Sequence, residues 1–388
     1  MDHARTVAPL ARAAALGPMI EAAADSIEAS QRFPDDLMAA LHRARLFHLF
    51  LPRALGGEEC HPAEYLAAIR EIARHDGSVA WNMFVANSAV LIAPHLPPAS
   101  ALTIFGDPRA VVAWGPPDGQ TLQAVEGGYL VEGTWPFASG CRQATWMGAH
   151  GQVREADGAI RLNAAGRPTT RTVLFPVEAA KRLGDWRPLG LKGTASESYR
   201  VRDVFVPEAF SATRETPEAR RDPGPLYAFP MQGLYAVGVA GVALGLAAAM
   251  QEAFADLASR KAPRGRPRLA DDSLVQAEYA RAEARLASAH AYLAHVLSAI
   301  HATAGDAGAI DVESRAHVRL ACSNAIQAGV EVADWTHRAA GVSAIFPGAP
   351  FERRFRDIHT VSQQIQSRSA HFEAVGQVLL GTPPPVFF

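Results

Sequence analysis

The sequence predicts an α+β chain in three parts: an N-terminal helical domain over residues 1–106, a central β domain over 107–222 and a C-terminal four-helix bundle over 223–388. Three observations carry this. Apolar residues recur near helical spacing as far as about Leu96. After Pro108 the pattern changes to short β-branched and aromatic runs cut by Gly, Pro and Asp. From Pro225 long helical stretches return with short connections, which favours an antiparallel bundle. A chain of 388 residues, 49% hydrophobic and 20% charged, is long and apolar enough to bury several cores.

In chain order, Ala13–Ala29 is an Ala/Glu-rich helix, and Pro34 opens a second one whose first turn holds Asp35 and Asp36, as a helix N-terminus prefers. The LGGEE run Leu55–Glu59 is a turn, Ala63–His75 a third helix, and Ser78–Leu91 a mostly apolar, buried helix carrying Trp81, Asn82, Asn87 and Ser88. Buried Asn and Ser need partners, which backbone or a ligand can supply. Strands are expected at Val111–Trp114, Tyr129–Glu132, Ala144–Gly151, Ala159–Leu162, Thr170–Phe175 and Ser198–Val206. The polar run Thr213–Asp222 reads as a linker, and the bundle helices as Pro225–Ser259, Asp272–Ala302, Asp311–Ala340 and Phe351–Leu380.

Composition excludes several function classes. The formal net charge is -2 and no basic block dominates a domain, so neither nucleic acid nor an anionic membrane surface is an expected partner. Arg260–Arg268 does hold five positive charges, which fits a solvated loop or an anion site. The three cysteines, Cys60, Cys141 and Cys322, lie far apart, which argues against a disulfide framework and fits a reducing, cytoplasmic setting. Asp2, Arg5 and Arg12 interrupt any signal-peptide core, and no metal constellation is visible. Leu226–Gln251 has no charged residue, but Gly238, Gly241 and Gly245 fall on one face, which suits close packing of a buried helix against another helix or a subunit.

The stretch Gly127–Gly151 carries the chemistry. It reads as two short strands around a turn-rich loop that gathers Trp135, Phe137, Ser139 and Gly140. Glycine permits close backbone approach, the aromatics offer flat apolar faces, and Ser139 offers a hydroxyl and an N–H. That set suits a planar, hydrogen-bonding heterocycle; the same aromatics also suit an ordinary hairpin core.

Several stretches, in order, resemble the acyl-CoA dehydrogenase superfamily: Arg32–Glu59, His75–Trp81 (HDGSVAW), GGYLVEGTWPFASGC, Gly190–Pro207 (GLKGTASESYRVRDVFVP) and Phe351–Gln366 (FERRFRDIHTVSQQIQ). The resemblance covers nearly the whole chain and implies the same three-part fold. It also implies a glutamate base for α-proton abstraction, placed shortly after the ERxxRD motif or early in the first bundle helix. Here Ile358–His371 holds no carboxylate, Gln363, Gln364 and Ile365 stand at the first position, and the second falls near Leu234. Both bases are missing.

The WPFASG run resembles instead the branch of flavin-dependent monooxygenases that take reduced FMN or FAD from a separate reductase. The resemblance implies addition of O₂ to give a C4a-hydroperoxide and transfer of one oxygen to a small, aromatic or natural-product substrate. It places Ser139 beside the flavin N5, with Trp135 and Phe137 walling the ring and Gly140 at the same cofactor. Thr194 and Ser196 fall near the flavin pyrophosphate, and Arg260 near a flavin phosphate, often of a neighbouring subunit. Trp81, Asn82, Ser88 and Gln364 are expected to line the substrate pocket. The histidine of phenol-hydroxylating members falls at Ala89, so it is absent, and His359 is the expected proton-handling residue, ahead of His371. A homotetramer is implied. A dehydrogenase or oxidase with another base, or a binding protein without catalysis, are the alternatives.

Overall fold

A computed structural model of the chain describes residues 7–213, 220–221, 224–305, 308–382 and 384. Most of the linker expected over Thr213–Asp222 lies outside the described residues. The N-terminal part holds α1 (Pro9–Ser30), α2 (Asp35–Arg43), α3 (Pro62–His75), α4 (Gly77–Ala89) and α5 (Pro98–Phe105). Helix starts are set locally: Asp35 and Asp36 sit in the first turn of α2, the His61 ring accepts from Ala63 N at α3, and Asp76 accepts from Val79 N at α4.

The central part is one sheet in which β6, β7, β3, β2, β4, β5 and β8 lie side by side and β1 pairs with β4. The strands are β1 (Val112–Trp114), β2 (Thr121–Val125), β3 (Gly128–Ala138), β4 (Trp146–Arg154), β5 (Thr170–Pro176), β6 (Lys181–Arg182), β7 (Glu197–Pro207) and β8 (Ser211–Ala212). Two sequence expectations change here. The two strands flanking the Ser139 loop do not pair; β2 lies between them, antiparallel to β3 and parallel to β4. The tight turn is instead Val125–Gly128, with Gly127 at φ 77°. Ala159–Leu162 forms isolated bridges rather than a strand.

The C-terminal part holds α6 (Met231–Arg260), α7 (Ser273–Thr303), α8 (Val312–Ala340), α9 (Glu352–Val361) and α10 (Ala370–Leu379). The expected fourth helix is therefore two short ones. Between them Ser367 Oγ donates to Val361 O (2.9 Å) and the Gln364 side chain accepts from Gln366 N (2.6 Å), so polar side chains take over backbone partners that a continuous helix would use.

Residues of α1–α5 and α6–α9 share one continuous hydrophobic core, and the sheet has a second. The glycine face of α6 explains the close packing. A Cβ at Gly238 would meet the Phe84 ring at 2.6 Å, and one at Gly245 would meet Arg70 O at 2.3 Å. By length and composition α6 could cross a membrane, but 94% of its most apolar window is buried against the rest of the chain. Its apolarity is used inside this fold.

Candidate functional site

The site lies where α4 meets the sheet, and a bulge creates it. The antiparallel pairing of β3 and β7 shifts register twice, between Val131 and Gly133 and again between Trp135↔Tyr199 and Ala138↔Glu197. Phe137 occupies the second irregularity with φ 59°, a left-handed conformation rare for a bulky residue. The shift turns Phe137 outward, 60% exposed, with its ring edge-on to Trp186 at 6.2 Å. Two residues later it delivers Ser139 against α4 and the loop that leads into β7. Ser139 N donates to Phe137 O (2.9 Å), so this N–H is spent within the turn and the hydroxyl is the group left for chemistry.

That hydroxyl belongs to a buried chain. Trp81 Nε1 donates to Ser139 Oγ (3.1 Å), Ser139 Oγ lies 2.6 Å from Ser196 Oγ, Ser196 Oγ lies 2.7 Å from Thr194 Oγ1, and Thr194 Oγ1 donates to Leu191 O (2.8 Å). Gly140, at φ 76°, donates its N–H to Thr194 O (2.9 Å) and ties the two loops together. A carboxylate pair underlies the assembly. Asp76 caps α4, which carries Trp81; Asp357 Oδ1 accepts from Leu191 N (2.6 Å) and holds the far end of the chain. Burial first, and then the neighbouring Asp76 charge, push Asp357 up to about 7.

Beside Ser139 is a cavity of about 10 Å³, room for one water. Its apolar side is Phe33, Phe47, Ala86, Val111 and Val112, and its polar side is Asn82, Gln143, Ser139 and Gly140. No titratable side chain lines it. Both amide atoms of Asn82, a residue only 5% exposed, and both of Gln143 lack a hydrogen-bond partner within the chain. Asn87, one turn and a half along the same helix, is the contrast: it accepts from Leu49 N (2.7 Å) and donates to Leu46 O (2.7 Å) and Met83 O (2.9 Å). Asn87 is an internal brace; Asn82 is a vacant donor and acceptor. A buried amide without partners costs about 1–3 kcal/mol per group, so its presence points to a ligand. The donor and acceptor set fits the edge of a heterocycle with alternating N–H and C=O groups. A cavity of this size admits no more than the edge of such a ring.

The family model of the acyl-CoA dehydrogenase N-terminal domain matches residues 6–96, and that of the acyl-CoA dehydrogenase C-terminal domain matches residues 237–368. The chain belongs to the acyl-CoA dehydrogenase family. It is similar to indole-3-acetate monooxygenase of Pseudomonas putida, 28% identical and aligned over 99% of both chains. It is also similar to the flavin-dependent monooxygenase oxygenase subunit HsaA of Rhodococcus jostii, 26% identical over 89% of this chain and 91% of that one. Among solved structures it superposes on XiaF from Streptomyces sp. in complex with FADH2 and glycerol, with a TM-score of 0.89 and 23% identity over 98% of this chain and 96% of that one, a likeness of fold.

Within this acyl-CoA dehydrogenase fold, the two segments that could carry a base meet: Gln366 Nε2 donates to Gln232 Oε1 (2.9 Å), and Gln366 also accepts from Arg319. Amides, not carboxylates, make the contact between these two segments.

The structure brings together Trp81, Asn82, Ser139, Gly140, Thr194 and Ser196, and separates other expected site residues from them. Trp135 is a core residue, not a flavin wall: it is fully buried, stacked on Tyr199 at 5.6 Å, with Nε1 donating to His150 O (2.8 Å). Thr194, also fully buried, has no surface for a pyrophosphate and serves the hydroxyl chain instead, as does Ser196. Ser88 Oγ donates to Phe84 O (2.9 Å) one helical turn back and is not part of the lining of the cavity beside Ser139. Gln364 caps the turn after α9. His359 points away from the Asp357 face of α9 and pairs with Asp334 (2.9 Å), and His371 bonds Ile365 O (2.8 Å). Arg260 ends α6 on the surface, paired with Asp256. Gln143, Trp186 and the Asp76–Asp357 pair were not singled out from the sequence. Asp76 was legible as an N-cap ahead of Gly77; Gln143 had no local signal.

Proposed function

We propose that this chain is the oxygenase component of a two-component flavin-dependent monooxygenase acting on a small aromatic substrate. The observation that carries the reading is the Asn82–Gln143–Ser139 cluster: two amides whose buried polar atoms lack partners beside a buried hydroxyl, no acid or base among them, at a bulge that shows an aromatic face to the outside. Such a site binds and orients a heterocycle and excludes water; it is not built to abstract a carbon-bound proton. Reduced FMN or FAD, when bound, supplies the electrons with which O₂ is split between product and water. Ser139, Gly140 and Asn82 would hold the ring edge, Phe137 would cover it, and Trp81 would face the substrate from α4. Relatives named for indole-3-acetate oxygenation and the flavin-dependent oxygenase subunit HsaA support an aromatic substrate. The missing carboxylate bases favour this over a dehydrogenase. We further propose a separate reductase as the source of reduced flavin, a cytoplasmic location in keeping with three buried free cysteines, and a homotetramer. Exposed Val342, Ile345 and Phe346, close together after α8, support an assembly.

The test is anaerobic titration of the protein with reduced FMN and reduced FAD, followed by acyl-CoA addition to protein holding oxidised flavin. Micromolar or tighter binding of one reduced flavin, with no bleaching by acyl-CoA, is expected. Bleaching would return the chain to the dehydrogenases, and no binding of either flavin would make it a non-flavin protein.

A further inference from the structure

The hydroxyl chain at Ser139 has a direction. Thr194 has one hydroxyl proton, placed on Leu191 O at 2.8 Å, so Thr194 accepts from Ser196. Ser196 has then spent its proton and accepts from Ser139 at 2.6 Å. Ser139 has spent its own, and accepts from the Trp81 indole N–H, a group that can only donate. Every proton runs one way, from Trp81 to Leu191. The reverse polarity gives up the Thr194–Leu191 bond and strands the Ser139 proton. Ser139, which lines the cavity, is thus left with one unfilled lone pair and no proton to offer.

We propose that this directed chain makes Ser139 an obligate acceptor and so selects the reduced flavin over the oxidised one, with Ser196 and Thr194 as the residues that set the selection. The inference rests on the flavin reading above. The ring nitrogen N5 carries a proton in the reduced flavin and only a lone pair in the oxidised flavin. A Ser139 lone pair meets the first as a hydrogen bond and the second as a repulsion. Oxidised flavin can be accommodated only by inverting the chain, at the loss of the Thr194 bond to Leu191. Ser196 and Thr194 are positioning residues: buried behind Ser139, they act through its proton. For an enzyme that takes reduced flavin from a partner and must release the spent form, this bias gives the exchange its direction.

The experiment compares dissociation constants of reduced and oxidised flavin, and the midpoint potential of bound flavin, in the wild type, Ser196→Ala, Ser139→Ala and the double variant. Ser196→Ala removes the acceptor of the Ser139 proton and frees it to point at the ligand. Oxidised flavin is expected to bind on the order of tenfold tighter relative to reduced than in the wild type, the scale of one hydrogen bond. The bound potential falls by about 30 mV for that tenfold change in a two-electron couple. On the Ser139→Ala background the same substitution should change neither quantity. Thr194→Val, which also releases the chain, should move the ratio in the same direction and covers the case that Ser196→Ala folds poorly. An unchanged ratio in both Ser196→Ala and Thr194→Val, or an equal change without Ser139, overturns the inference while leaving flavin binding intact. Failure of the wild type to bind either flavin form overturns the functional reading and this inference with it.

Discussion

Replacing Asn82 by leucine should stabilise the ligand-free protein and weaken its hold on flavin. The two amide atoms of Asn82 are buried without partners, and leucine keeps the same branched side-chain shape without them. Each unpaired polar group costs about 1–3 kcal/mol, and one water in the neighbouring cavity can relieve part of it. The net gain is about 1–3 kcal/mol, read as a rise in melting temperature or denaturant midpoint. Asn87→Leu on the same helix is the control with the opposite sign. It deletes bonds to Leu49 N, Leu46 O and Met83 O and leaves buried backbone groups unpaired, a loss of about 3 kcal/mol or more. Titration with reduced flavin completes the assay: Asn82→Leu should bind at least about tenfold more weakly if its amide pairs with the ligand. If Asn82→Leu destabilises the free protein as Asn87→Leu does, Asn82 is a structural residue and the reasoning that makes it a ligand group is wrong.

Other predictions follow from charge and packing. Asp357 has its folded pKa raised to about 7 from an ordinary value of 3.8. Its contribution to stability is therefore complete below about pH 4 and is lost as pH rises through 7, up to roughly 4 kcal/mol; urea midpoints across that range should fall in the wild type and flatten in Asp357→Asn. Glu28 goes the other way: burial opposes its charge, but hydrogen bonds from Arg356 and Lys192 dominate and hold it at about 2. Glu28→Gln should cost about 1–2 kcal/mol at pH 7 and little near pH 2, where the wild-type carboxylate is being protonated, as followed by acid-denaturation curves. Gly245→Ala should destabilise more than Gly238→Ala, because the first meets backbone at 2.3 Å and the second a side-chain ring that can shift at 2.6 Å. Overpacking of this kind costs about 1–3 kcal/mol, measurable by thermal shift.

The order of helices, sheet and helices was legible because each part imposes its own period, and α6 could be placed inside the fold from three glycines on one face. The sheet's pairing was not legible. Thr121–Val125 is too short and too polar to announce a strand, yet β2 separates the strands on either side of Ser139. The aromatics were misassigned for a related reason. Trp135 and Phe137 stand two apart and should share a face, but the bulge after Trp135 sends one into the core and the other outward. Ser196 and Thr194 were visible as hydroxyls near the site, but their link to Ser139 depends on β3 and β7 being neighbours. His359 failed because its position after the RD pair gave sequence proximity, while the helix gave it the opposite face.

The most direct test of the account is oxygen-isotope transfer. The protein is loaded with reduced flavin without air, mixed with ¹⁸O₂ and a panel of indoles, arylacetates and phenols, and the products are weighed by mass spectrometry, with Ser139→Ala alongside. The account predicts one labelled atom in at least one aromatic product, and a loss of coupling to hydrogen peroxide release in the variant. Flavin that is oxidised with every electron going to peroxide, in the presence of every substrate and equally in both proteins, would contradict it.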